Sequence, residues 1–334
     1  MTVPPTVSVF MPSYNGDRYL EAAVRSILDQ TFRDLELVVV DDGSQESTRA
    51  ILHRLAANDN RLKVHVCEHR GLVGALNHAI SLCRGRYLAR MDHDDISVPD
   101  RIERQVRYLE AHPDVVACGS EIRRMDAEGR LARYPKRRQR RLEHRPDLVP
   151  PRVQWMPGPT PMFRAEALRR VGGYRPQFLA SEDRDLCWRL GEVGPCVRLE
   201  DPLLQYRGHS ANTSLLQRRT QLFSHVLGDL SAIARHHGLD DSAIVAAIVP
   251  GGDYLPHVEA YRRLLAGHYP VDTYWLLFLA RQNAWSIGGF ARGLDFRRAA
   301  TEHWRTRPFD VQRLWVAFRA WRAVSRAGCD AAAA

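Results

Sequence analysis

The stretch VSVFMPSYNGDRYLEAAVRSILDQTFRDLELVVVDDGS, Val7 to Ser44, decides the fold. It opens with VSVFMP, a short apolar run of strand character. Leu20, Ala23, Val24, Ile27 and Leu28 then recur at i, i+3, i+4, i+7 and i+8, which places them on one face of a helix. Asp17 stands where it would cap that helix. LELVVV follows as a second apolar run, rich in Val and closed by the turn residues DDGS. Two strands joined by an amphipathic helix form a crossover unit, in which the strands lie parallel.

The same alternation continues outward. Ile51, Leu52 and Leu55 mark a second helix, LKVHV a third strand, and Leu72, Leu76, Ile80 and Cys83 the stripe of a third helix. RYLARM is the next strand, Ile102, Val106 and Leu109 mark the next helix, and DVVACG is a fifth strand. This order predicts an α/β, Rossmann-like fold with a mainly parallel central sheet and helices on both faces. Ligands of such sheets bind beyond the carboxyl ends of the strands. PSYNG, DDGS and DHDD follow the first, second and fourth strands, so three polar segments meet on one rim. Further along, RLARYPKRRQRRLEHR (Arg130 to Arg145) reads as a basic surface loop or short helix. SEDRDLCWRL opens a helix, and VRLE and LLQYRGH read as strands. Past Leu215 the strand signal fades, which divides the chain into 1–215 and a mostly helical extension, 216–334.

Composition narrows the class. The 334 residues are 45% hydrophobic and 26% charged, as in an ordinary globular protein. A formal charge of +9 suits anionic partners such as nucleotides or lipid headgroups. Six scattered cysteines with no C-x-x-C pair argue against a zinc ribbon or a dense disulfide framework. The start, MTVPPTVSVFMPSYNG, lacks the pattern of a secretory leader, and the longest apolar run, YWLLFLA, is far too short to span a bilayer. The expectation is a cytoplasmic protein with reduced thiols.

YLARMDHDDISVPDR, Tyr87 to Arg101, places Asp92, Asp94 and Asp95 within four residues. A solvated loop or a cap for the helix starting near Asp100 would explain them, and so would a divalent cation. Asp92 and Asp94 point the same way along an extended backbone. Magnesium and manganese prefer oxygen ligands, and magnesium is usually held by one or two carboxylates together with substrate phosphates. Asp41 and Asp42 in VVVDDGS either accept from a nucleotide base or ribose, or join Ser44 in capping the next helix. Glu182 and Asp183 head a helix, where acids complement the helix dipole. One of them alternatively serves as a general base. His209, in QYRGHSANTS, is either structural or an ion ligand.

In this order and spacing, VSVFMPSYNG, LVVVDDGS, GLVGALNHAISLCRGRYLARMDHDD, GPTPMFRAEALRRVGGY, SEDRDLCWRL and YRGHS resemble the inverting glycosyltransferases of family 2, over about residues 6 to 214. The resemblance implies the GT-A fold of nucleotide-diphosphosugar transferases. It implies that Pro12, Tyr14 and Asn15 line a nucleotide pocket and that Asp42, beside Asp41, contacts the base. It makes Asp94 the direct ligand of Mn2+ or Mg2+, with Asp92 between the metal and the ribose and His209 completing the metal site. Asp95 would share that duty or orient its neighbours. Asp183 takes the place of the catalytic base, with Glu182 the second choice, and Arg70 and Asn77 fall where donor contacts belong. The implied partners are a nucleotide-diphosphate sugar and a saccharide or lipid-linked acceptor. Processive members carry Q-x-x-R-W and membrane helices, whereas QRRTQ at Gln217 and QRLWV at Gln312 do not match. That departure favours transfer of a single sugar.

Four other readings compete. A nucleotidyltransferase would share the sheet and acidic site but usually opens with a Gly-rich, basic loop, which PSYNGDRYL resembles poorly. A catalytically degenerate nucleotide-sugar binder would keep the same motifs. A dehydrogenase would need G-x-G-x-x-G after the first strand, and it is absent. A nucleic-acid binder would need more than a charge run, and PKRRQRRLEHR has little aromatic interleaving. No nucleic-acid partner is expected. The tail FDVQRLWVAFRAWRAVSRAG places Val311, Leu314, Trp315, Phe318, Trp321 and Val324 near one helical face, with arginines largely elsewhere. Such a helix either lies on an anionic membrane surface or packs on the catalytic domain or a homodimer partner.

Overall fold

The computed structural model describes residues 3–133, 153–210, 212, 218–236, 238 and 240–246. The basic stretch past Arg133 and the tail from Phe309 lie outside the described residues. The chain divides into Met1–Gly252 and Asp253–Ala334; every described residue belongs to the first unit, and the expected change near 215 falls within it.

The opening crossover unit forms as read. Strand β1 is Val7–Ser13, helix α1 Leu20–Leu28 and strand β2 Leu35–Asp41, and β1 and β2 pair in parallel from Val7↔Leu35 to Ser13↔Asp41. Asp17 is not the cap of α1. The helix begins after Tyr19, and the Gly16 carbonyl accepts from the N–H groups of Tyr19 and Leu20 at 3.0 and 2.9 Å, closing the turn through backbone alone.

Helix α2 (Glu46–Asn58), β3 (Leu62–Val66), α3 (Gly71–Leu82), β4 (Tyr87–Arg90), β5 (Ile96–Ser97), α4 (Arg101–Ala111) and β6 (Ala117–Met125) follow. After the undescribed segment come β7 (Met162–Arg164), α5 (Ala165–Arg170), α6 (Glu182–Val193) and β8 (Cys196–Arg207). Two further helices are α7 (Arg218–His236) and α8 (Ser242–Ala246).

The eight strands form one sheet in the order β3-β2-β1-β4-β7-β6-β8-β5. The β3-β2-β1-β4 half is parallel; β7 runs antiparallel to both neighbours, β6 and β8 are parallel, and β5 closes the edge antiparallel to β8. VRLE and LLQYR, read as two strands, are one. Between Leu199 and Leu204 the pairing with β6 slips at Pro202, which has no N–H to give the ladder, and the strand continues beyond the bulge.

Each face of the sheet carries a core. Val7, Val9 and Met11 point with Val39 toward the side of α1, α2 and α4. Phe10, Val38 and Val40 point toward the side of α3, α5 and α6. A strand buried on both faces loses the polar alternation of a half-exposed one, which is why VSVFMP and LELVVV read as nearly continuous apolar runs. The two layers fix the strands in register, and the polar turns at their carboxyl ends become the site.

Candidate active site

Arg90, the last residue of β4, is a charged side chain inside an apolar strand and is 3% exposed. Its guanidinium reaches two carboxylates. Nε donates to Asp92 Oδ1 and Nη1 donates to Glu182 Oε1, both at 3.0 Å. The end of β4 and the first turn of α6 are therefore tied by one buried cation. The Tyr174 ring lies under the same guanidinium, 5.7 Å from centroid to Cζ. Beneath this layer, fully buried Arg101 donates from Nη2 to the Arg90 carbonyl and from Nε to Gln105 Oε1. Burial lowers the Arg101 pKa to about 10, and the charges of Asp95 and Asp92 offset part of that fall.

Beyond Asp92 the chain turns outward. Asp94 Oδ2 lies 2.9 Å from His209 Nε2, and both side chains are largely buried. Arg207 holds the loop from below: its N–H donates to Asp95 Oδ1 and its Nε donates to the Asp94 carbonyl, each at 2.8 Å. The Tyr19 ring packs on the Arg207 guanidinium at 4.5 Å and beside the His209 ring at 5.2 Å. Asp95 is 1% exposed, and its Oδ2 has no hydrogen-bond partner. Burial first, then the charges of Asp94 and Asp92, push its pKa well above the usual carboxylate range.

On the other side of Arg90 stand Glu182 and Asp183. Burial raises Glu182 to about 7 against the pull of Arg90, and Asp183 adds to the rise. Asp183 is raised too, by burial first. Its Oδ1 accepts from the Arg184 N–H at 2.8 Å, and its Oδ2 lies 3.4 Å from where a Cβ on Gly158 would stand. The missing side chain at Gly158 keeps that oxygen approachable.

The rim beyond β1 and β2 is built by short polar segments. Asn15 adopts a left-handed φ of 48°; its N–H donates to Ser44 Oγ, and its Oδ1 accepts from the Gln45 N–H, capping α2 from across the sheet rim. Asp42 caps α3, not the helix that follows it in sequence: its two oxygens accept from the N–H groups of Arg70 and Gly71 at 2.7 and 2.9 Å. Asp41 is buried, accepting from the Ser44 N–H and from Arg49 Nε, both at 3.3 Å. Pro12 is buried within β1, whereas Tyr14 is 47% exposed with its ring 4.3 Å from that of His69. His69 Nδ1 in turn lies 2.9 Å from Asp42 Oδ2. The Arg70 side chain is exposed. Asn77 clamps the backbone of Tyr174, accepting its N–H at 2.9 Å and donating to its carbonyl at 2.8 Å. That amide holds α3 to the loop before α6.

The arginines Arg90, Arg101 and Arg207 and the rings of Tyr19 and His69 had no place in the sequence reading. A charged residue inside the apolar run YLARM was the available signal for Arg90.

For a cation, Asp94 and His209 are the pair that converges. Asp92 is turned to Arg90, and among the described residues no group of three His, Cys, Asp or Glu side chains forms a ligand set. Two protein donors with open positions fit a hard ion that takes its other ligands from diphosphate and water.

An α/β sheet with polar and acidic segments at its strand ends places a ligand site on that rim. The family model for glycosyl transferase family 2 matches residues 8–172. The O-antigen biosynthesis glycosyltransferase WbnJ of Escherichia coli is 32% identical over 215 residues, 62% of this chain and 81% of that one. Chondroitin synthase of Escherichia coli is 29% identical over 66% of this chain, which spans 32% of that longer protein. Among solved structures, S. aureus TarS 1-349 in complex with UDP superposes with a TM-score of 0.55 at 16% identity, over 96% of this chain and 89% of that one. The chain belongs to glycosyltransferase family 2 and has the GT-A fold. It is a glycosyltransferase.

Proposed function

We propose that the chain transfers a single sugar, with inversion, from a nucleotide-diphosphate sugar to an acceptor hydroxyl. The observation that carries this is the separation of two acidic centres by one buried arginine. Asp94 with His209 lies on one side, and Asp183 with an approachable Oδ2 on the other. Asp183 is the base. Burial raises its pKa toward the range in which a carboxylate accepts a proton usefully, while Arg90 keeps that rise in check. Glu182 is committed to Arg90 and orients rather than abstracts. Asp94 and His209 would hold Mn2+ or Mg2+, with Asp92 adjoining. The chemistry supplied by a bound divalent ion is Lewis-acid stabilisation of the charge growing on the diphosphate. Tyr14 and His69 offer ring faces to the base, and Pro12, Asn15, Asp41, Asp42 and Arg70 shape that end of the pocket.

The acceptor is a saccharide or a lipid-linked saccharide, and the setting is cell-surface polysaccharide or glycolipid synthesis on the cytoplasmic side. The naming of the Escherichia coli relative for O-antigen biosynthesis supports this. No helix among the described residues is long and apolar enough to cross a membrane. The test is isothermal titration with UDP, GDP and dTDP, with manganese or with EDTA, on the wild type and Asp94→Ala. Binding of one nucleotide that requires both the metal and Asp94 is the expected outcome. Binding indifferent to both would sink the metal assignment.

A further inference from the structure

We propose that α7, which lies beyond the segment matched by the family model, is a brace for the catalytic helix α6, and that Asp229 is its positioning residue. This rests on the reading of Asp183 as the base. Asp229 is 1% exposed and faces the first turns of α6. Its Oδ1 accepts from Arg184 Nε at 2.7 Å and from Trp188 Nε1 at 2.8 Å, and its Oδ2 accepts from Arg184 Nη2 at 2.8 Å. Arg184 follows Asp183 directly, and its own N–H donates to Asp183 Oδ1. The residue that fixes the base through its backbone is thus itself fixed through its side chain by α7. A planar guanidinium held by two parallel bonds defines an orientation as well as a distance.

The contact is part of a longer seam. The Ser181 hydroxyl at the head of α6 donates to the Gln221 carbonyl of α7 at 3.2 Å. Phe178, in the loop leading into α6, packs on Gly228, where a Cβ would lie 3.2 Å from its ring. At the far end of α6, Arg235 donates from Nε to Glu192 at 2.7 Å. Between these points Arg175 donates to both Asp185 of α6 and Asp241, and Asp241 also accepts from Ser231 and Arg235 of α7. Helix α6 is therefore held along its length by polar contacts with α7 and the segment just beyond it. Charge-assisted bonds between buried partners resist sliding better than apolar packing, because each has one good geometry. A base must keep a hydroxyl within hydrogen-bond reach, and a shift of a fraction of an ångström is costly to rate without touching the donor pocket.

The test uses the full chain with Asp229→Asn, and with Trp188→Phe as a milder variant that removes one donor to the same carboxylate. Hydrogen exchange of peptides covering residues 181–190 reads the helix. Release of nucleoside diphosphate from a panel of UDP, GDP and dTDP sugars reads the chemistry, and titration with the three nucleoside diphosphates reads the donor site. Asp229→Asn is expected to speed exchange in α6 about tenfold, lower kcat about tenfold or more, and leave nucleotide affinity and exchange in β1 and β2 unchanged. Trp188→Phe should move the same quantities in the same direction by less, and it decides the matter if Asp229→Asn does not fold. Wild-type exchange in α6 and wild-type kcat in a folded variant would overturn the proposal. An equal loss of nucleotide affinity would overturn it too, since that marks general damage. A wild-type chain that releases nothing from any sugar nucleotide would count against Asp183 as base, and the exchange arm would still decide the brace.

Discussion

Replacing Arg90 by Met keeps most of the side-chain volume and removes the cation that joins Asp92 to Glu182. Taking one partner from a buried ion pair costs about 3–5 kcal/mol, because the charge left behind stays buried. Glu182 lets that cost be separated by pH. Its pKa in the folded chain is raised to about 7, with burial outweighing the downward pull of Arg90. The folded chain therefore holds this proton to higher pH than the unfolded chain does, so the group costs stability as pH rises from the ordinary glutamate range up to that value and no more beyond it. Without Arg90 the downward pull is gone and the proton stays on to higher pH still. At pH 8 that loss has stopped in the wild-type chain, whose Glu182 is ionised beside its arginine, and it continues in the variant, a difference on the order of 1 kcal/mol. At pH 5 both chains carry Glu182 protonated, and this difference vanishes.

Arg90→Met should accordingly destabilise the chain by about 3–5 kcal/mol at pH 8 and by roughly 1 kcal/mol less at pH 5. Urea unfolding followed by tryptophan fluorescence at pH 5, 6, 7 and 8, for wild type and variant, measures the difference at each pH. Adding Glu182→Gln to both chains should flatten the pH dependence of the difference, because the titrating partner is gone. A cost that is equal at pH 5 and pH 8, or larger at pH 5, would refute the reasoning. It would mean that Arg90 acts by packing and not by balancing Glu182.

Two further substitutions separate scaffold from pocket. Asn77→Ala should cost about 1–3 kcal/mol by leaving the Tyr174 backbone unpaired. Nucleotide affinity measured by titration should not change, and a selective loss of affinity would return Asn77 to the donor pocket. Gly16→Ala would put a Cβ 2.6 Å from the His93 ring, between the first strand end and the acidic loop. Displacing the ring should lower stability by about 1–3 kcal/mol, read as a thermal shift, and an unshifted melting curve would show that His93 moves freely.

The parallel half of the fold was legible because helix and strand have different periods, and each of β1 to β4 and α1 to α3 is long enough or apolar enough to display its own. The short strands were not. Ile96–Ser97 and Met162–Arg164 hold two and three residues, too few for any period, and exist because β8 and β4 offer them edges to pair with. The rim was legible for the same reason as the strands, since polar turns at strand ends are local. Partners distant in sequence were not: Asn77 is claimed by a backbone 97 residues away, and Arg90 reaches Glu182 across 92. Asp42 was likewise open to reading as a cap for α2, but the N–H groups it accepts from belong to α3.

That blindness to distant partners also hid one physical task. In the sequence, a solvated loop, a helix cap and a divalent cation each accounted for Asp92, Asp94 and Asp95 side by side. In the fold, Arg90 pairs with Asp92, Arg207 binds the Asp95 carboxylate and the Asp94 carbonyl, and Arg101 lies buried behind them. Three cations of the chain therefore already stand against the cluster, and on the proposed reading a divalent ion would have only the narrower work of meeting a donor diphosphate at Asp94 and His209. A cation needed for folding would add about 2.7 kcal/mol when present at a hundredfold excess over its Kd. For a unit of this size that is a rise of about 5–11 °C in Tm. An ion recruited mainly with the nucleotide should do much less, so the melting curve in EDTA should lie within about 2 °C of that in manganese when nucleotide is absent. Adding the nucleotide that binds should then open a gap between the two curves, because ion and diphosphate share ligands. A fall of more than about 5 °C on adding EDTA alone would mean that the arginines do not suffice and that the ion is part of the fold.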